Sequence, residues 1–198
     1  MNTATFSMEA TPRQGGFSLL EVLVSIVILA IGLLGLAGLQ TKANEVEMEA
    51  YQRSVALMLV QDMADRVTAG RKYVDDFKGV SLAAYGVGDT QAATCALTGD
   101  AAAQLCAWSN AMKGAAEKMG STGIGAPIGM RGCLISVSPT TEDALGEFFV
   151  VGVWQGVMPT ASPPANTPGA QCAADVDFGT GLRRAVVTRV LVPKQTAG

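Results

Sequence analysis

The sequence predicts an α+β fold, a long N-terminal α-helix packed on a small antiparallel β-sheet. Three observations carry this. An apolar run from Phe17 to Leu39 continues, without a proline, into a stretch of helical period that ends near Gly70. Three later segments are rich in β-branched and aromatic residues. Those segments show no sign of strand–helix–strand alternation, which argues for antiparallel pairing rather than a parallel sheet.

The helix comes first. Phe17 to Leu39 is 23 residues with a single charge, Glu21. As a helix it spans about 35 Å at ~1.5 Å per residue, enough to cross a bilayer core. An ordinary secretory signal has a shorter apolar run, without an acid inside it, and an A-x-A cleavage site after it. Farther on, Met48, Tyr51, Val55, Leu59, Met63 and Val67 recur at spacings of three and four, which predicts an amphipathic helix with these residues on its buried face. Glu49 with Arg53, and Asp62 with Arg66, are expected to pair along the wetter side. Arg66 and then Gly70 supply a C-terminal stop. One helix of about 53 residues, roughly 80 Å long, follows from these signals. Residues 17–39 form a transmembrane or fibre-core half, and residues 40–70 form the spine of a globular head made by residues 71–198.

Residues 71–130 are rich in Ala, Gly, Asp and Thr and have weak periodicity. They read as a connecting region with a short helix near Trp108 to Met119. Three strands are expected after it, at Gly132–Ser138, Glu147–Gln155 and Arg184–Val192, the second being the strongest. Met158 to Gln171 holds four prolines and reads as a loop.

The bulk properties exclude several classes. The formal charge is -3, whereas a nucleic-acid partner calls for a basic surface. No histidine occurs anywhere. That removes the commonest general base, the commonest metal ligand and every nucleophile arrangement built on histidine. Neither a G-x-S-x-G elbow nor a P-loop lysine motif is present, and no cofactor is called for. Asp175 and Asp177 beside Gly179 lack the full ligand series of a calcium loop and read as a solvated turn. The four cysteines, Cys95, Cys106, Cys133 and Cys172, all follow the apolar run. An even number on one side of a span points to two disulfides in an oxidising compartment. Four cysteines allow three connectivities. Cys95 with Cys106 closes a short loop and is favoured, which leaves Cys133 with Cys172 to tie the first strand to the proline-rich loop.

Glu21 is the residue that asks for an explanation. A charge inside a membrane span costs on the order of 3 kcal/mol even on lenient scales and is a functional candidate by default. No Lys, Arg or His lies between Arg13 and Lys42, so a partner has to come from elsewhere. Cutting the chain between Gly16 and Phe17 would place a new ammonium four residues from Glu21. That charge could neutralise Glu21 of a neighbouring subunit, and the helix dipole favours an acid in the first turn.

The segment Gly15-Gly16-Phe17-Ser18-Leu19-Leu20-Glu21, directly before a span-length apolar run, resembles the prepilin signature of type IV pilins and the related secretion pseudopilins. The resemblance covers residues 15 to 40. It implies a leader at residues 1–16, cleavage after Gly16 by a prepilin peptidase, N-methylation of Phe17 and a docking role for Glu21. It also implies an inner-membrane protein with a periplasmic head before assembly and a fibre subunit afterwards. The partners implied are the peptidase, other minor pilins, the major pilin and an inner-membrane assembly platform. Major pilins usually carry a proline where this chain has Gly38, which argues for a minor subunit. The leader departs from the pattern, being long and holding Arg13 as its one basic residue; a start at Met8 would shorten it to nine residues. Gly32, Gly35 and Gly38 recur every three residues, a spacing that lets membrane helices approach closely. A minor pseudopilin of a type II secretion system shares this N-terminal logic. A membrane-tethered periplasmic enzyme is the reading from another class, and the missing histidines and motifs count against it.

Overall fold

The computed structural model describes residues 15–115, 117–120, 122–137 and 145–193. The chain divides into two units, residues 1–43 and 44–198. In the first, residues 15–18 have no regular structure and the helix α1 (Leu19–Ala69) begins. The carbonyl of Ser18 accepts the first helical N–H groups, from Glu21 at 3.0 Å and Val22 at 3.3 Å. Two residues expected in the helix, Phe17 and Ser18, therefore precede it. Every residue of the helix up to Asn44 is exposed.

The second unit holds the rest of α1 and the head. A turn of 3-10 helix (Arg71–Tyr73) leads into α2 (Val74–Gly79), β1 (Ala84–Gly86) and α3 (Ala101–Met112). A small hairpin follows, β2 (Glu117–Met119) with β3 (Thr122–Ile124), then β4 (Arg131–Ser136), β5 (Leu145–Gln155), the single-turn α4 (Pro168–Gln171) and β6 (Arg183–Pro193). The main sheet has the order β1-β4-β5-β6 and every pairing is antiparallel.

The core lies between α1 and the sheet. Along α1 the buried residues are Gln52, Ala56, Val60, Met63, Ala64 and Val67. This stripe is turned from the expected one. Met63 and Val67 belong to both, but Met48 and Tyr51 are half exposed, and Val55 and Leu59 lie at the margin. Small side chains decide it: Ala56 and Ala64 let the sheet come close where a tyrosine could not. Opposite them, β5 sends Phe148, Val150 and Trp154 inward, with Leu134, Val190 and Val192 from its neighbours. The alternate residues of β5, Val151 and Val153, join Cys133, Ile135, Cys172, Ala173 and Phe178 in a second cluster on the other face. Burial on both faces explains why β5 reads as a near-continuous apolar run.

α3 packs beside α1 through Trp108, which is fully buried and donates its indole N–H to the Leu59 carbonyl at 2.8 Å. Gly132 of β4 makes room for it, since an added Cβ would lie 2.3 Å from the Trp108 ring. The helix expected near Trp108 to Met119 thus starts and ends earlier. Asp100 caps it by accepting the Ala103 N–H at 2.8 Å, and Gly114, at φ 75, turns the chain towards the β2–β3 hairpin. The three expected strands are present as β4, β5 and β6 with ends shifted by one or two residues; Ser138 lies outside the described residues.

Candidate functional site

The N-terminal site is built from a short exposed stretch and the first turns of α1. Gly15 and Gly16 meet nothing within 4 Å of where a side chain would begin. Phe17 is 85% exposed. The Gly16–Phe17 peptide bond therefore lies just ahead of the helix, in backbone outside any helical hydrogen-bond ladder. A protease needs such backbone, and a residue without a Cβ permits its closest approach.

Glu21 lies in the first turn and is exposed. The helix terminus there favours an acid by roughly 0.3–1 kcal/mol. The stretch that follows is long and apolar enough to cross a membrane, and none of it is buried within the chain. Ser25 donates its hydroxyl to the Glu21 carbonyl at 2.7 Å, and Thr41 does the same to Ala37 at 3.1 Å. The two hydroxyls in the part of the helix before Asn44 are in this way satisfied by its own backbone. Gly32, Gly35 and Gly38 also meet nothing within 4 Å.

The cysteines are joined as Cys95–Cys106 and Cys133–Cys172. The first links the segment ahead of α3 to the helix itself. Asn110 reinforces that link by donating to the carbonyls of Ala92 and Ala93 at 2.9 and 3.2 Å. The second fastens β4 to the end of α4, and both of its cysteines are fully buried. Among the described residues no group of three or more His, Cys, Asp or Glu is placed to hold a metal ion. Asp177 accepts the Gly179 N–H at 2.7 Å, a turn contact.

Two polar centres in the head escaped sequence reasoning. Glu49, expected to pair with Arg53, instead bonds to Arg184 of β6 and accepts the Val157 N–H at 2.8 Å. Arg184 also donates to the carbonyls of Gly181 and Met158. This staple ties α1 to the start of the proline-rich loop. Burial opposes the charge on Glu49, but the Val157 N–H and the Arg184 guanidinium outweigh it and hold the carboxyl below the usual carboxylate range. Asp89 is the second centre. It accepts from Gly86 N–H, Gln91 N–H and the Ser109 hydroxyl and pairs with Lys113. Burial again works against the charge, and these partners together lower the carboxyl. Asp62 and Arg66 pair as expected, at 2.8 Å.

A family model described as the prokaryotic N-terminal methylation motif matches residues 11–37. No curated protein and no solved structure matches the chain. The motif supports a type IV pilin- or pseudopilin-like prepilin, a structural class of protein, and implies processing by a prepilin peptidase and assembly with other pilins.

Proposed function

We propose that the chain is a minor pilin of a type IV pilus that takes part in the initiation of pilus assembly, with twitching motility and adhesion as the activities it serves. A prepilin peptidase cuts between Gly16 and Phe17, and Phe17 is methylated on its new amine. Residues 17–39 hold the subunit in the inner membrane with the head in the periplasm, and later line the fibre core, near the tip. Glu21 docks on the amine of a neighbouring subunit. Other minor pilins, the major pilin and the inner-membrane assembly platform are its partners.

One observation carries this reading. Within the matched motif, a single acid stands in the first turn of a helix whose apolar segment is exposed throughout. A lone chain in water would bury that surface, and a lone acid in lipid would need a cation. Lateral association with processed copies of similar helices answers both demands. The run Ile31 to Gln40, with its three glycines and no proline, is similar to that of the minor pilin PilV and supports a minor rather than a major subunit.

Mass spectrometry of pili sheared from cells tests the proposal. A peptide that begins at N-methylated Phe17 and co-purifies with the fibres is the expected result. A processed chain confined to the cell envelope would instead make it a minor pseudopilin of a type II secretion system, and an unprocessed chain would overturn the cleavage site itself.

A further inference from the structure

The main sheet has two unlike edges. β1, three residues long, closes one side, and β6, eleven residues long, closes the other. β6 pairs with β5 from Arg183 to Pro193 without a bulge. One step before the strand begins, Gly156 donates its N–H to the Leu182 carbonyl at 2.7 Å. Hydrogen bonding along an antiparallel pair alternates every second residue. Arg184, Val186, Thr188, Val190 and Val192 therefore bond to β5, while Ala185, Val187, Arg189 and Leu191 direct their N–H and C=O groups away from it. Among the described residues nothing bonds to those outward groups. Natural sheets guard a long edge with lysines, prolines or bulges. Here Pro193 blocks only the far end, and residues 185–192 contain neither lysine nor proline.

We infer that the free edge of β6 is a docking site for an extended segment of another protein, which joins the sheet as a fifth strand and carries an acid between two apolar residues. The outward N–H and C=O groups supply main-chain recognition of any extended backbone. The side chains beside them set its chemistry. Val187 and Leu191 are exposed on either side of Arg189, whose side chain is 59% exposed. Glu147 takes the Arg189 Nε–H, which leaves the outer nitrogens of the guanidinium for a second carboxylate. Side chains directly opposite on paired strands interact, so the added strand places its acid against Arg189 and its apolar residues against Val187 and Leu191. A groove of about 420 Å³ separates the start of the edge from the proline-rich loop, lined by Pro163, Pro164, Thr167, Ala185 and Val187 among others. It leaves room for the side chains at that end of the added strand.

Charge argues against a second copy as the occupant. β6 holds three arginines and no acid, so two copies side by side would bring like charges together with nothing between them to offset the repulsion. The inference is independent of the fibre reading, because it needs only the sheet of the head and is tested by binding rather than by assembly.

The test follows amide hydrogen exchange in the full chain in detergent micelles, with the peptide acetyl-TVTETVT-amide as the probe. In the free chain the amides of Val187, Arg189 and Leu191 should exchange quickly, while those of Val186, Thr188 and Val190, held by β5, stay protected. Saturating peptide should slow the first set and leave the second unchanged. Replacing the glutamate by lysine, TVTKTVT, should weaken binding about tenfold, and N-methylation of the valine and glutamate amides should abolish it. V187P removes an outward N–H and no bond of the β5–β6 ladder, so it should fold and lose the peptide. R189E changes an exposed side chain and should reverse the preference between the glutamate and lysine peptides. The inference is overturned if the outward amides are already protected in the free chain, or become so on raising protein concentration alone, which would make a second copy the occupant. It is equally overturned if no saturable protection appears, if the lysine or N-methylated peptide binds as well, or if both variants bind as the parent does.

Discussion

Removing the two disulfides one at a time should expose their unequal roles. Cys133–Cys172 closes a sequence separation of 39 and Cys95–Cys106 one of 11. On the loop-entropy model these amount to about 4 and about 3 kcal/mol, a difference of roughly 1 kcal/mol. Surroundings widen the gap. Cys133 and Cys172 are both fully buried in the cluster with Val151, Val153 and Phe178, so their replacement by alanine also removes packed sulfur. Cys95 is only partly buried. In denaturant titrations of the full chain in detergent, C133A/C172A is expected to cost at least 1 kcal/mol more than C95A/C106A. Reduction kinetics give a second readout from the same geometry, since an attacking thiolate must reach a sulfur. Under native conditions dithiothreitol should open Cys95–Cys106 first, and Cys133–Cys172 should follow only as the head itself opens. Timed thiol trapping with mass detection reads the order. A larger loss from C95A/C106A, or equal reduction rates, would refute the reasoning.

Three further outcomes follow from the head and the helix. Because the folded Glu49 carboxyl titrates below its ordinary 4.5, the bonds it makes stabilise the fold above that pH and are lost as pH falls through the folded value. E49Q should cost about 1 kcal/mol at neutral pH and flatten this acid limb in pH-dependent unfolding; the figure is kept low because Glu49 and Arg184 are 22% and 13% exposed. G132A drives a methyl into Trp108, where the nearest ring atom is 2.3 Å away, and should lower stability by about 3 kcal/mol in thermal unfolding. G38A meets nothing and should raise the helicity of the chain in micelles by circular dichroism, in line with the ~1 kcal/mol that glycine costs relative to alanine.

Much of this molecule was legible from its sequence, and the reasons differ by segment. The apolar run of α1 declares itself by length, and β5 and β6 by their β-branched content, since both signals are local. The face of α1 in the head was not. Large residues at Met48, Tyr51 and Val55 made the better hydrophobic pattern, but contact distance to the sheet favoured Ala56 and Gln52, a choice made by tertiary packing. Glu49 was misread for the same reason: Arg53 is near in sequence, whereas Arg184 is 135 residues away. α3 had one overlooked local signal. Asp100 followed by three alanines is an N-cap before strong helix formers, although an alanine-rich face gives little hydrophobic period to detect. The three-residue strand β1 offers almost nothing to read, because its place is set by pairing Tyr85 with Gly132.

The glycines divide the chain into two kinds of constraint. In the head, Gly132 and Gly152 are held by neighbours inside the molecule; an added Cβ would meet Trp108 in one case and Val60 at 2.8 Å in the other. Substitution there is answered by the fold of the single chain. Gly32, Gly35 and Gly38 have no such neighbours, and the three leucines between them, Leu33, Leu34 and Leu36, are each more than half exposed. Within one molecule these glycines only weaken a helix. A cost without an internal return implies that the return lies in contact with other helices, where small residues permit close approach. The comparison that bears on this is therefore G38A in the monomer against G38A in assembled fibres. Gain in the first and loss in the second would assign the stripe to assembly, while gain in both would make it ordinary composition of a membrane helix.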